Sequence, residues 1–232
     1  MAEMDEKDLA QHWAERTEAI RSRETAAIPH WYNPWVHLGF TLSACSVTAI
    51  SALAGLENVT TWEWFTPLWV FLGANAFEWH IHRNGLHRKT RLLYRLYERH
   101  TPMHHSVYTH GDMVLRSARE MKLVLLPGFG IAGIIALIVP IALGLSRLVS
   151  ANAGRFFLAT ACLYVLFYEV SHLLYHVDPD SRLGRLPGLA YLRRHHTIHH
   201  DPRLMQRWNF NVTIPLFDKI LRTSTNSSHD IR

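Results

Sequence analysis

The sequence predicts an all-α integral membrane protein, with four transmembrane helices and a cytoplasmic helical cap that carries a histidine-rich di-metal site. Three observations lead there. Four long apolar runs are separated by strongly basic segments. Nearly all lysines and arginines fall on one side of a four-span arrangement. Most of the 17 histidines lie in two clusters, which that arrangement places on this same side. A chain of 232 residues is by default one domain, and its mean hydropathy of −0.03 hides the local contrast between runs.

The excess of 24 Lys and Arg over 19 acidic residues fits either nucleic acid or an anionic membrane surface. No helix-turn-helix or aromatic RNA-binding pattern supports the first, so no nucleic-acid partner is expected; the apolar runs support the second. Cys45 and Cys162 lie inside apolar runs with no metal-binding or redox spacing. They read as small residues packed between helices.

Residues 1–35 are expected to form an interfacial segment. Within it, residues 5–26 read as a helix whose narrow stripe, Leu9, Trp13 and Ile20, lies on the membrane surface or on the protein. The charged start has no signal-peptide apolar core. Pro29 and Pro34 break the chain where Trp31, Tyr32 and Trp35 supply the aromatics of a bilayer boundary. The first run, Val36–Leu56, has the roughly 20 residues a spanning helix needs. The second, Trp62–His82, carries Glu78, His80 and His82 in its last turns and reads as a helix emerging from the membrane. The third, Leu123–Ser146, contains Pro127 and Pro140, which are expected to kink it. The fourth, Phe156–Val177, contains Glu169, His172 and His176.

The arm up to Trp35 holds four Lys or Arg, residues 80–122 hold nine and residues 178–232 hold nine, which leaves only Arg147 and Arg155 on the other side. The positive-inside rule makes the crowded side, with both termini and both histidine clusters, cytoplasmic.

His82–His105 contains H-x4-H and H-x3-HH, and its counterpart is His172-x3-His176 followed by RRHHTIHHD. His172 and His176, like His100 and His104, are one helical turn apart and are expected to share a face. Pro102 distorts the backbone between the latter two. His82 and His87, five apart, diverge by about 140° on an ideal α-helix, so Asn84-Gly85 is expected to mark a break, a wide turn or a π-bulge. The tandem pairs His104-His105 and His199-His200 suit two adjacent ions. Glu169, on the face of His172, is expected to accept the ring N–H of a ligating histidine. His12, His30, His37 and His229 are solitary, and His80 and His110 lie off the pattern. All-imidazole sites suit Fe, Zn, Cu or Ni. Ten ligands exceed the four of a structural zinc and match two irons with about five nitrogens each.

Four elements in order, with the tail that follows them, resemble the fatty acid hydroxylase / sterol desaturase superfamily of integral-membrane di-iron oxygenases: HRNGLH, RHTPMHHSVYTHGDM, YEVSHLLYH with RRHHTIHHDPRLM, and NFNVTIPLFDKILRT. The resemblance covers about Glu78 to Thr223 and makes residues 36–232 a hydroxylase-like membrane domain. It implies His82, His87, His100, His104, His105, His172, His176, His196, His199 and His200 as metal ligands, with His195 as a further candidate, and supporting or structural roles for Asp218 and Asn209. Asn211 and Arg222 stand where the family commonly has glycine. H-x4-H leans toward the hydroxylase branch. The implied reaction is O2-dependent hydroxylation of a lipid (fatty acyl, sterol or related) at two Fe ions, with O2 as co-substrate and a separate cytochrome b5- or ferredoxin-type electron donor. Desaturation within the superfamily, membrane metal binding or transport, and a bis-histidine haem protein are the alternatives.

Overall fold

A computed structural model describes residues 6–226. The regular elements are helical: α1 (Glu6–Ala26), α2 (Pro34–Ala54), α3 (Thr66–Ile81), α4 (Tyr94–Glu98), α5 (His105–Val107), α6 (Met121–Val124), α7 (Gly128–Leu148), α8 (Ala151–Tyr175), α9 (Leu189–His199) and α10 (Leu216–Ile220). Two π turns, His82–Leu86 and Arg99–His104, interrupt this series.

Among the described residues three helices, α2, α7 and α8, are long and apolar enough to cross a membrane. Each begins for a local reason. The Asn33 side chain accepts from the Trp35 and Val36 amides, and Pro34 sits where no donor is needed. Ser150 caps α8 through the Ala153 amide. Pro127 starts α7, so the third run does not kink at this proline but divides there: Leu123 and Val124 belong to the cap helix α6, and the chain between is extended. The opened backbone is held on both sides. Glu169 Oε2 accepts from the Leu126 amide at 2.9 Å, and the Leu126 carbonyl accepts from His37 Nε2 at 2.7 Å.

α8 is the hub, lying against α2, α3 and α7. Its contact with α2 is made by small residues, Cys45, Ala49 and Ala52 against Ala159 and Cys162, and both thiols are free and fully buried. Gly154 allows α7 and α8 to approach closely, because a Cβ there would lie 2.3 Å from the Ala142 carbonyl oxygen. Large apolar side chains such as Val47, Ile50, Leu137 and Ile141 point outward, as lipid-facing side chains do. α3 has 16 residues, about 24 Å at 1.5 Å per residue.

The loops at one end of the bundle are tied together by Asn152, which bonds both backbone groups of Glu57, and by Glu63, which accepts from Ser150 and Thr60. At the other end lie the histidines and the short helices. There α1 docks through a residue that its apolar stripe did not mark. Trp13 is half exposed and Ile20 only partly buried, whereas Arg21 is 2% exposed. The side chain of Leu9, like His229, lies outside the described residues. At the two glycine-like positions, Arg222 adopts a left-handed φ of 56°, whereas Asn211 does not; its side chain instead bonds the Asn75 carbonyl and the Asp218 amide.

Candidate metal centre

Ten histidines converge in two groups of five. His82, His87, His100, His105 and His199 form the first; His104, His172, His176, His196 and His200 form the second. Within each group the ligand-capable atoms lie within 4.8 Å of one another, and every ring is buried.

Local backbone chemistry explains the sorting. In a π turn the hydrogen bond runs from residue i+5 to residue i, so residues five apart share a face. The His87 amide donates to the His82 carbonyl, and the His105 amide to that of His100, which places each of these pairs in the first group. His172/His176 and His196/His200 obey the ordinary i, i+4 rule and enter the second. His100 and His104 do not share a group, contrary to the i, i+4 expectation, because the turn that joins them is π rather than α. The tandem pairs His104-His105 and His199-His200 each place one ring in either group.

Helix ends supply a further electrostatic reason. His82, His176 and His200 cap the C-terminal ends of α3, α8 and α9, where the helix dipole is negative and favours a cation.

Three rings in each group have their tautomer fixed from outside. In the first group His82 Nδ1 donates to the Phe210 carbonyl and His199 Nδ1 to that of Trp208 (2.8 Å). His87 Nδ1 donates to Thr101 Oγ1 at 3.1 Å, since that hydroxyl spends its own proton on the Leu86 carbonyl. In the second group His104, His176 and His200 donate to the carbonyls of Leu123 (3.1 Å), Met113 (2.8 Å) and Tyr108 (2.6 Å). Each of these six rings therefore turns a bare Nε2 lone pair inward.

Facing lone pairs repel unless a cation lies between them. His87 Nε2 is 3.2 Å from that of His82 and 2.9 Å from that of His199; in the second group His196 and His200 approach to 3.0 Å and His104 and His172 to 3.1 Å. Right-angled ligation at the metal–imidazole bond length of about 2.0–2.1 Å puts neighbouring nitrogens about 2.9 Å apart. The donor set, its spacing and its preset tautomers fit one transition-metal ion per group, in a coordination larger than four.

Burial, reinforced by the neighbouring rings, pushes His82, His87, His100, His104, His105, His196 and His200 well below the ordinary imidazole value, and burial likewise lowers His176. His199 falls from 6.5 to about 4, mainly by burial. All are neutral at neutral pH, the form that binds metal. The unfolded chain binds protons at 6.5, whereas folded His199 resists them until about 4. Protons therefore favour the unfolded state, and metal-stripped protein is expected to lose stability as pH falls below 6.5 toward 4. Thermal unfolding of chelator-treated protein across that range checks this; a pH-independent melting temperature would show the rings to be solvated.

The remaining sequence-predicted residues stand around these groups. His195 belongs to neither. Although residue 195 lies one helical turn before His199 on α9, its Nε2 is 3.0 Å from Asp218 Oδ2, so the ring is engaged by that carboxylate and joins neither set. Asp218 also accepts from the amides of Phe210 (3.0 Å) and Asn211 (2.7 Å) and from Thr223 Oγ1 (2.7 Å). Asn209, at a φ of 60°, bonds the His195 and Thr225 carbonyls and accepts from the Thr225 amide. Together they shape the 208–211 loop whose carbonyls orient His82 and His199. Glu169 does not serve a ring as expected; it accepts from the Leu126 amide, and its Oε1 has no hydrogen-bond partner among the described residues. His80 and His110 are exposed, and neither joins a group.

Other participants were hidden from residue-by-residue reading. Glu78 accepts from the Val212 and Thr213 amides and from the Tyr164 and Thr213 hydroxyls, while Asn75 Nδ2 donates to Tyr164, Thr213 and the Ile214 carbonyl. This network fastens the tail between α3 and α8. A carboxylate and an amide inside an apolar run were its only sequence signal.

A cleft of about 50 Å³ touches both groups, with His100 of the first and His104 and His172 of the second on its wall, opposite Leu96, Leu125 and Tyr168. Arg99 also lines it and donates to the Lys122 carbonyl at 3.0 Å. Phe210 packs as core against His82, His87 and His199.

Apolar helices of membrane-crossing length and two enclosed imidazole groups define a helical membrane protein built around a candidate two-metal centre. The chain belongs to the fatty acid hydroxylase family, whose model matches residues 67–223, from the first turn of α3 through every grouped histidine to the end of the tail. Membership points to an oxidoreductase of the lipid hydroxylase and desaturase class. Neither a curated protein nor a solved structure matches the chain significantly.

Proposed function

We propose that the protein is a di-iron lipid oxygenase that hydroxylates an unactivated C–H bond of a fatty acyl, sterol or related lipid at the expense of O2. The observation that carries this reading is the partition of ten buried imidazoles into two five-nitrogen sets served by one cleft. The five neutral nitrogens of each set would hold an ion and leave it accessible to an exogenous molecule. Bound iron would supply the activation of O2 that no side chain can perform.

The chain's own contribution is to hold, orient and exclude. His82, His87 and His199 would hold one ion and His104, His176 and His200 the other, each with its tautomer preset; His100, His105, His172 and His196 complete the sets. The apolar wall of the cleft keeps water away from the reacting carbon. A volume of about 50 Å³ has room for a few water-sized groups, so it presents a short segment of a lipid rather than a whole chain. The substrate would arrive from the bilayer. Electrons would come from a separate cytochrome b5- or ferredoxin-type donor.

In this reading α3 is a fourth, short span, whose 16 residues fall below a bilayer core of about 30 Å and require local thinning or tilted neighbours. The histidine end, with the N-terminus and C-terminus, is cytoplasmic, since it carries the basic excess.

The test is lipid mass spectrometry of host cells with and without the chain, alongside a His172→Ala, His199→Ala variant. A gain of one oxygen in a lipid class, absent from the variant, is expected. Loss of two hydrogens would replace hydroxylation by desaturation at the same centre. Unchanged lipids together with purified protein free of iron would overturn the reading.

A further inference from the structure

The two groups are braced by different segments of the chain. The carbonyls that orient His82 and His199 belong to the C-terminal 208–210 loop. Those that orient His176 and His200 belong to Met113 and Tyr108, and the Leu115 amide donates to the His176 carbonyl at 2.8 Å. The segment 108–115 contains no regular helix that could hold these groups in place. It is held by Arg21.

From α1 the Arg21 guanidinium reaches across to Asp112 Oδ2 (2.9 Å), the Val114 carbonyl (2.5 Å) and Glu120 Oε2 (2.6 Å). It lies 5.3 Å from the centre of the Tyr108 ring, whose hydroxyl donates to the same Glu120 oxygen at 3.2 Å. That ring in turn packs 4.5 Å from His176 and 5.3 Å from His104. One planar fork thus fixes the carboxylates, the backbone and the aromatic ring that together set the outer wall of the second group.

We infer that Arg21 is a positioning residue for the second histidine group alone, and that α1 is the clamp through which the N-terminal arm sets metal occupancy there. The inference rests on the two-metal reading. It concerns the chain's affinity for the ion rather than the reaction, and can be read without substrate.

The experiment measures iron per chain and the Mössbauer spectrum of full-length, detergent-purified protein. His199→Ala and His200→Ala supply reference spectra with the first or second group impaired. Arg21→Met is expected to bind iron roughly 10–100-fold more weakly at the second group, the loss typical of removing support behind a ligand. Its spectrum should match His200→Ala and not His199→Ala, and Arg21→Lys, which keeps the charge but not the fork, should fall between. The double variant Arg21→Met, Glu120→Gln leaves no unpaired buried carboxylate at position 120, so it separates lost support from misfolding; it should show the same selective loss. Full occupancy in both Arg21→Met variants would overturn the inference while the two-metal reading stands. Equal loss from both groups would also overturn it, by making Arg21 a general scaffold residue. Wild-type protein without iron at either group would remove the two-metal reading itself and this inference with it.

Discussion

Replacing His199 with alanine is expected to lower iron affinity at the first group by more than about 100-fold, beyond what loss of a supporting contact costs, and to abolish lipid oxidation. The ring closes that group: its Nε2 lies 2.9 Å from that of His87, while its Nδ1 is already committed to the Trp208 carbonyl. No neighbour can substitute, because His200 on the next residue points into the other group and His195 is taken by Asp218. His195→Ala is therefore the matched control. It removes a histidine from the same helix and should leave iron content intact while lowering stability. Metal analysis and product formation on the two variants check this; equal iron loss from both would make His195 a ligand and the present grouping wrong.

Asp218→Ala should destabilise the fold by about 3–5 kcal/mol, the range for breaking a buried charged network by removing one partner. Asp218 is fully buried and accepts four hydrogen bonds. Alanine would leave the Phe210 and Asn211 amides without their acceptor, each at a cost of about 1–3 kcal/mol. The 208–211 loop would loosen, and with it the carbonyls behind His82 and His199. Denaturant unfolding in detergent measures the change; a loss below about 1 kcal/mol would mean that water or neighbouring carbonyls replace the carboxylate.

Much of this architecture was legible in the residues. Apolar runs locate α2, α7 and α8 to within a few residues, because a span needs length and composition that little else in a chain supplies. Imidazole is rare enough that spaced clusters stand out, and the ten histidines named from the family resemblance are the ten that assemble. What could not be read is what holds them. Most of the braces are backbone carbonyls, at Tyr108, Met113, Leu123, Trp208 and Phe210, and a carbonyl looks the same whatever side chain follows it. Arg21 reaches the Val114 carbonyl from 93 residues away, so no local pattern announces it, and Asp218 was marked by the resemblance of the tail and not by any pattern in its neighbours. Glu169 misled for a related reason. A carboxylate one turn from a histidine suggests a partnership, but the extended chain at Leu126 offered an unpaired amide that the ring did not.

The π turns carry a consequence for how spacings are compared. An α turn aligns residues four apart and a π turn aligns residues five apart, so H-x3-H on one and H-x4-H on the other present the same pair of nitrogens to an ion. The additional residue at Asn84-Gly85 is taken up by the backbone and never reaches the metal-facing surface. Two chains whose motifs differ by one residue can therefore share one arrangement of ligand nitrogens, the difference being taken up in helix winding.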